Sequence, residues 1–213
     1  MLVPATLVLI RHAEISDGHG SGLLCGWCDP PLSALGRRQV ELLAERLARE
    51  PAAVAAYTSP LERAAATAAA APPPLRPARV DALREIYCGE LDGMDLASVE
   101  AGYPELWRRN EALNDDDFAW PGGESYRHFR TRVIGAVEAL AAAHPGRRVL
   151  VFTHSGFINQ TIGHIKGARP ARWDLYLAGH ASITEIQWAG TSGVVLRFDD
   201  RSHLAPLARK RAS

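Results

Sequence analysis

The sequence has few of the features that mark secreted, membrane-spanning or nucleic-acid-binding proteins. Its 213 residues include three cysteines, an odd and low number that argues against the disulfide framework of a secreted domain. The 24 basic and 24 acidic residues leave no formal net charge, so we expect no general attraction to nucleic acid or to an anionic membrane. The first ten residues lack a basic segment, and no apolar run approaches the roughly 20 residues that cross a bilayer. These absences predict a cytoplasmic protein whose partners are neither nucleic acid nor membrane.

The remaining composition is that of an ordinary globular protein, with 47% hydrophobic and 23% charged residues. The length favours one domain, spanning residues 1–213. Apolar runs typical of buried strands alternate with segments of helical periodicity. The predicted strands are residues 6–10, 53–57, 148–152, 183–188 and 194–198, and the predicted helices follow Ser33, Pro60 and Ser125, occupy parts of 96–113 and span 156–165. This alternation predicts a three-layer α/β/α sandwich with a mainly parallel central sheet, in which residues 76–123 form a small cap insertion.

Charged and polar side chains stand where three predicted strands end. Arg11 and His12 follow the first strand, Arg63 lies in the first turn of the helix after the second, and His154 and Ser155 follow the strand at 148–152. The carboxyl ends of parallel strands line one crevice, where free N–H groups of helix N-termini also point. The sequence therefore predicts an anion site at this edge, with phosphate as its occupant.

These residue types suit the transfer of a phosphoryl group. The charge of its transition state is spread over the equatorial oxygens, and a planar guanidinium can donate to two of them at once. A neutral imidazole can attack phosphorus, which makes His12 the candidate nucleophile. The departing alkoxide needs a proton, and Glu85 is our candidate acid because it enters a loop-rich segment that could cover the site.

At these positions the sequence resembles the histidine phosphatase superfamily, also called the phosphoglycerate-mutase-like family. The resemblance extends from residue 9 to about residue 158, and six motifs in the order of the fold make it specific. The motifs are Leu9-Ile10-Arg11-His12-Ala13-Glu14, Gly26-Trp27-Cys28-Asp29-Pro30-Pro31-Leu32-Ser33, Thr58-Ser59-Pro60-Leu61-Glu62-Arg63-Ala64, Leu83-Arg84-Glu85 with Gly89 and Asp92-Gly93, Pro121-Gly122-Gly123-Glu124-Ser125, and Thr153-His154-Ser155-Gly156.

The resemblance implies a role for each matching residue. His12 would be phosphorylated, Glu85 would donate the proton, and the backbone of Ser155 would add an N–H donor. Arg11, Arg63 and His154 would hold the phosphoryl oxygens. Neither a metal nor another cofactor would be required.

Two positions depart from the family pattern. Ala13 replaces the usual glycine after the histidine, which is a small change. Gly18 stands where members often place a phosphate-binding asparagine, so we expect that contact to be either missing or supplied by Ser16, Asp17 or His19.

Other motifs in the sequence suggest chemistry that their context disfavours. Cys25-Gly26-Trp27-Cys28 has the spacing of a redox dithiol, but a glycine-rich loop precedes it and no helix starts at its second cysteine. Cys88 does not complete a zinc site with that pair, because a second close pair is missing. Ser155 lacks the glycines of a hydrolase nucleophile elbow.

We therefore expect a histidine-type phosphomonoester phosphatase, a hydrolase that acts on a small phosphorylated metabolite without a metal, through a phosphohistidine. It resembles the branch of α-ribazole-phosphate and sugar-phosphate phosphatases. The alternatives are a phosphoglycerate-type mutase and a protein that binds phosphorylated ligands without turnover. Trp107, Arg108, Arg109 and Trp120 lie in the expected cap and should shape substrate choice. The oligomeric state is left open, and a homodimer is allowed.

Overall fold

The computed structural model describes residues 3–16 and 22–209. Within them, six strands form one sheet in the order β3-β2-β4-β1-β5-β6. The strands β1 to β4 are parallel, whereas β5 is antiparallel to β1 and β6 is antiparallel to β5. Their bounds are β1 (Ala5–Arg11), β2 (Ala55–Thr58), β3 (Ala78–Arg79), β4 (Arg148–Thr153), β5 (Ile183–Ala189) and β6 (Ser192–Asp200).

Two of the described helices begin after the serines that the sequence marks as N-caps. The hydroxyl of Ser33 accepts a hydrogen bond from the backbone of Gly36, and the hydroxyl of Ser125 accepts one from that of His128. The helices are α1 (Ala34–Leu47), α2 (Glu62–Thr67), α3 (Leu96–Gly102), α4 (Pro104–Glu111), α5 (Tyr126–Ala143), α6 (Ser155–Ile165) and α7 (Ala205–Arg209), with short 3₁₀ turns at 68–70, 81–83, 89–91 and 202–204.

Helices cover both faces of the sheet because its central strands are apolar on both sides. In β1, Val8 and Ile10 pack with residues of α1 and the turn at 68–70. Leu7 and Leu9, which point the other way, pack with α5 and α6. The predicted α/β/α sandwich with a mainly parallel sheet is therefore confirmed.

The segment 76–123 divides between the sheet and a smaller apolar cluster. Its first residues form β3, which pairs with β2, so the sheet extends into the segment predicted as a cap. The remainder contains α3 and α4, the two short helices that Gly102 and Pro104 predicted. Phe118 and Trp120 pack there with Val99. This arrangement brings Glu85 from a loop to the carboxyl edge of the sheet.

The described helices include none that is both long and apolar enough to cross a membrane.

Candidate active site

The strand order brings the predicted residues to one edge of the sheet. β1 and β4 are neighbours, and the His12 and His154 rings that follow them have centroids 5.3 Å apart. A cavity of about 470 Å³ opens beside His12. Its walls are formed by Arg11, His12, Glu14, Ile15, Leu23, Cys25, Glu85, Ser155 and His180.

His12 is held as a neutral imidazole with a defined tautomer. Its Nδ1 lies 2.8 Å from the carbonyl oxygen of Ala13, and a carbonyl can only accept, so the proton is on Nδ1. Nε2 therefore carries the lone pair. Burial, then the charges of Arg11 and Arg63, lower the pKa of His12 well below its usual value. His12 thus keeps a nucleophilic nitrogen at neutral pH.

Arg11 supplies positive charge in the cavity wall. One terminal nitrogen donates to the carbonyl of Ala178 at 2.6 Å, and the other lies 2.9 Å from Nε2 of His180. Burial lowers the pKa of Arg11 to about 10, so the guanidinium is still protonated at neutral pH. Its Nε is buried and has no partner among the described residues.

Arg63 lies behind the loop that forms one wall of the cavity. Its terminal nitrogens donate to the backbone carbonyls of Gly26 and Cys28, each at 2.5 Å, and one lies 3.5 Å from the Asp29 carboxylate. The side chain is buried and is not part of the cavity wall. Its charge acts on the site by lowering the pKa of His12. Direct contact between Arg63 and phosphoryl oxygens therefore stays a prediction.

His154 supports the His12 ring from β4. It is fully buried, and its Nε2 lies 2.8 Å from the hydroxyl of Ser59, which follows β2. Burial, followed by the charge of Arg63, lowers the pKa of His154 well below its usual value. Its Nδ1 has no partner among the described residues. Because His154 lies outside the cavity wall, its contact with phosphate is also still a prediction.

The environment of Glu85 favours the protonated form of its carboxyl group. Burial raises its pKa, although its oxygens accept hydrogen bonds from the backbones of Gly156 (2.9 Å) and Ile86 (3.0 Å). The backbone carbonyl of Glu85 accepts from Trp27 Nε1 and from Arg132, which fixes the segment. A Cβ at position 156 would overlap the Glu85 carboxyl group, so this close approach requires a glycine.

Two serines were predicted to bind phosphate, and of these Ser155 lines the cavity whereas Ser16 does not. Ser155 opens α6 and lines the cavity, and its hydroxyl donates to Ala178 at 3.3 Å. Ser16 is exposed and outside the cavity wall, and its backbone N–H donates to Pro31. A phosphate contact from Ser16 is untested. The alternatives Asp17 and His19, and Gly18 itself, lie outside the described residues.

His180 is a site residue that our reading of the sequence missed. Its ring centroid lies 5.4 Å from that of His12, and it accepts a hydrogen bond from Arg11. The strand topology explains the position of His180. Because β5 is antiparallel to β1, with Ile183 opposite Ile10, the residues before β5 reach the carboxyl end of β1. Only an antiparallel assignment of β5 would have revealed this.

The loop at 25–28 is a structural element of the site. The Asp92 carboxylate accepts the backbone N–H groups of Gly26, Trp27 and Cys28. The sulfur atoms of Cys25 and Cys28 lie 3.1 Å apart, and no helix starts there. The described part of the chain holds no cluster of three His, Cys, Asp or Glu side chains with metal-binding geometry.

A second cavity of about 290 Å³ adjoins the first and shares Leu23, Cys25, Glu85 and Ser155 with it. Trp107 and Trp120 line it, which places them where they can contact a substrate. The other two residues expected to shape substrate choice, Arg108 and Arg109, do not line this cavity. Arg108 pairs with Glu105, and Arg109 pairs with Asp115.

Comparison with known proteins identifies the family to which the chain belongs. The sequence matches the histidine phosphatase superfamily (branch 1) over residues 7–201. A metal-independent phosphoserine phosphatase from Arabidopsis thaliana is 30% identical over 202 residues, which are 93% of this chain and 83% of that protein. Phosphoserine phosphatase 1 from Hydrogenobacter thermophilus is 32% identical over 201 residues, covering 93% of each chain.

Solved structures agree with the sequence match. The native mycobacterial glucosyl-3-phosphoglycerate phosphatase superposes with a TM-score of 0.80 at 25% identity, over 92% of this chain and 99% of that one. Two phosphoglycerate mutases also match in sequence, over 77% and 74% of this chain. As the motifs around His12 and His154 predicted, the chain belongs to the histidine phosphatase superfamily.

Proposed function

We propose that this protein is a metal-independent phosphomonoesterase that hydrolyses a small phosphorylated metabolite through a phosphohistidine. The observation that carries the proposal is the state of His12: Nδ1 donates to Ala13, so the free lone pair belongs to Nε2. The acid Glu85 lines the same cavity. The two relatives that are phosphoserine phosphatases support phosphate ester hydrolysis.

The first step transfers the phosphoryl group to the enzyme. The lone pair of His12 Nε2 forms a bond to phosphorus while the bond between phosphorus and the ester oxygen breaks. Glu85 gives its proton to that oxygen, and the alcohol leaves. Arg11 and the N–H groups at the start of α6 stabilise charge on the phosphoryl oxygens.

The second step returns the enzyme to its starting state. Glu85, now a carboxylate, takes a proton from a water molecule, and the oxygen of that water bonds to phosphorus. The bond between phosphorus and Nε2 breaks, so that inorganic phosphate leaves and His12 is neutral again. The low pKa of His12 favours this step, because a weakly basic imidazole is a good leaving group.

The space around the site favours hydrolysis over mutase chemistry. A mutase must keep water from the phosphohistidine until a second hydroxyl of the substrate arrives. The cavity of about 470 Å³ has room for water beside a phosphate, since a water molecule needs only about 10–15 Å³ of accessible cavity volume. With a monophosphoglycerate as substrate we therefore expect free phosphate, and an isomer as the main product would favour the mutase.

The central test is release of phosphate from p-nitrophenyl phosphate in the presence of EDTA. We expect turnover by the unmodified protein and its loss in His12→Ala. His128→Ala removes an exposed histidine from α5 and is the matched control that should keep turnover. Binding of phosphate without turnover by the unmodified protein would instead favour the ligand-binding alternative.

Several finer features remain part of the proposal. We infer a single functional unit over residues 1–213 that works in the cytoplasm, as a monomer or a homodimer. The substrate is expected to be a small phosphorylated molecule rather than a nucleic acid, because the sequence has no net charge.

A further inference from the structure

The second cavity begins at the group that protonates the leaving oxygen. Glu85 lines both the phosphate cavity and the adjoining cavity of about 290 Å³. The ester oxygen joins the phosphoryl group to the alcohol and must meet Glu85. A substrate with phosphorus at His12 therefore extends its alcohol part past Glu85 into the second cavity.

The walls of this cavity are mainly aromatic and aliphatic. Leu24 and Leu96 contribute aliphatic surface, and α4 contributes the ring of Trp107. The other aromatic side chains of the wall are Phe118, Trp120, Tyr126, Phe129 and Trp173. Such a surface binds apolar groups by removing them from water.

Two amide side chains line the wall, and both of their oxygens accept hydrogen bonds from the protein. The side-chain oxygen of Asn110 accepts a hydrogen bond from the hydroxyl of Tyr126 at 2.5 Å. Gln160 accepts from Arg130 and donates to the carbonyl of Pro170. Nε1 of Trp173 is a further donor, with no partner among the described residues. A sugar with several hydroxyl groups needs more partners than this wall supplies, and a buried hydroxyl without a partner is unfavourable.

The cavity also lacks a partner for a second negative charge. Among the described residues that line it there is no Lys, Arg or His. Its carboxyl groups are Glu85, Glu111 and Glu124, and within the part of the chain that the structure describes Glu124 is the one that forms an ion pair, with Arg132 at 2.6 Å. A carboxylate in the alcohol part of a substrate would lie near Glu111 and Glu124 and against apolar walls.

We propose that the alcohol part of the natural substrate is an uncharged, largely apolar group, either a ring or a branched chain, bound in this aromatic cavity. The enzyme discriminates against esters whose alcohol carries a carboxylate. This inference rests on the proposed phosphomonoesterase function and names its substrate class. It separates this chain from the activities for which its phosphoserine phosphatase relatives are named.

The test compares 2-phenylethyl phosphate, ethyl phosphate and O-phosphoserine. All three are esters of primary alcohols, so differences in kcat/KM report mainly on how the alcohol is bound. Burial of the phenyl ring should raise kcat/KM about 10- to 100-fold over ethyl phosphate. O-phosphoserine should fall below ethyl phosphate. Equal values, or a preference for O-phosphoserine, would overturn the inference.

Variants of residues that line the second cavity test whether this cavity causes the preference for the apolar ester. Trp107→Ala should lower the ratio of kcat/KM for 2-phenylethyl phosphate to that for ethyl phosphate. Tyr103→Ala is the matched control, because Tyr103 is an exposed aromatic residue beside α4 that does not line the cavity, and the ratio should not change. Leu96→Lys adds a cation to the wall and should raise the relative activity on O-phosphoserine. An unchanged ratio in Trp107→Ala contradicts the assignment.

The outcome also separates this inference from the function on which it rests. Hydrolysis of ethyl phosphate that depends on His12, without a preference for the apolar ester, refutes the substrate class and leaves the phosphomonoesterase intact. Hydrolysis of none of the esters refutes the phosphomonoesterase and this inference with it.

Discussion

The position of one proton on His12 defines how the site works. Because Nδ1 donates to the carbonyl of Ala13, only Nε2 can attack. The environment also separates the protonation states of two neighbouring groups: it lowers the pKa of His12 and raises that of Glu85. The two shifts favour a neutral imidazole and a protonated carboxyl group in one cavity, the combination that nucleophilic attack with acid catalysis requires.

The role of Glu85 predicts both a rate and a pH profile. Glu85→Gln keeps the shape but cannot donate a proton to the ester oxygen, so kcat/KM for ethyl phosphate should fall about 10²- to 10⁴-fold. The loss should be smaller for p-nitrophenyl phosphate, whose phenolate leaves without protonation. In the unmodified enzyme, activity should decline as pH rises through the raised pKa of Glu85.

A steady-state pH profile on ethyl phosphate checks this. The alkaline decline should disappear in Glu85→Gln, while the decline at low pH, where His12 takes up a proton, should remain. An alkaline limb unaffected by the substitution would show that another group donates the proton.

At the level of single elements, the start of α6 holds Glu85 in place and also lines the cavity beside His12. The backbone N–H of Gly156 donates to Glu85, and the absence of a side chain lets the carboxyl group approach. Ser155, one residue earlier, lines both cavities. The first turn of α6 thus couples the position of the acid to the edge of the phosphate site.

Gly156→Ala tests that coupling. The new methyl group would overlap Glu85 and displace it, so kcat/KM for ethyl phosphate should fall at least about tenfold because a displaced acid transfers its proton poorly. Gly135→Ala in α5 is the matched control, since no atom lies within 4 Å of its Cβ position. It should keep full activity and stabilise the fold by about 0.5–1 kcal/mol.

Circular dichroism and thermal unfolding show whether Gly156→Ala lowers activity by displacing Glu85 or by unfolding the protein. Retained folding with lowered activity in Gly156→Ala is the expected result. Full activity in that variant would mean that Glu85 does not need this position.

For the whole molecule, a network of ion pairs joins one helix layer to the sheet. Glu50, just after α1, accepts hydrogen bonds from Arg46, Arg148 and Arg197. Burial opposes ionisation of Glu50, but hydrogen bonds from Arg197 and Arg46 and the charges of these two arginines keep its pKa below the usual value. Asp200 at the end of β6 is likewise partly buried, yet hydrogen bonds from Ser202 and the nearby arginines lower its pKa to about 2.

These shifts predict how stability depends on pH. A carboxylate whose pKa is lower in the folded than in the unfolded state stabilises the fold above its unfolded value and loses that contribution on acidification. For Asp200 the loss falls between about pH 4 and pH 2. Denaturant unfolding at pH 7 and pH 3 should show a smaller difference for Asp200→Asn than for the unmodified protein. Equal differences would contradict the assignment.

The long elements and the position of most of the site could be predicted from the sequence, because apolar runs and capping residues are local signals. Ser33 and Ser125 marked helix starts, and the ends of the strands marked Arg11, His12 and His154. The exact bounds of the two-residue strand β3 could not be predicted, since pairing with β2 rather than its own pattern sets them. His180 and the burial of Arg63 depend on which strands and loops become neighbours, which no local pattern encodes.

The measurement that tests the account most directly is the location of the phosphoryl group during turnover. Rapid quenching of the enzyme with p-nitrophenyl phosphate, under alkaline conditions that preserve phosphohistidine, allows the labelled peptide to be identified by mass spectrometry. The account predicts one phosphoryl group on His12 and no covalent label in His12→Ala. A label on His154, Ser155 or Cys25, or turnover that persists in His12→Ala, would contradict it.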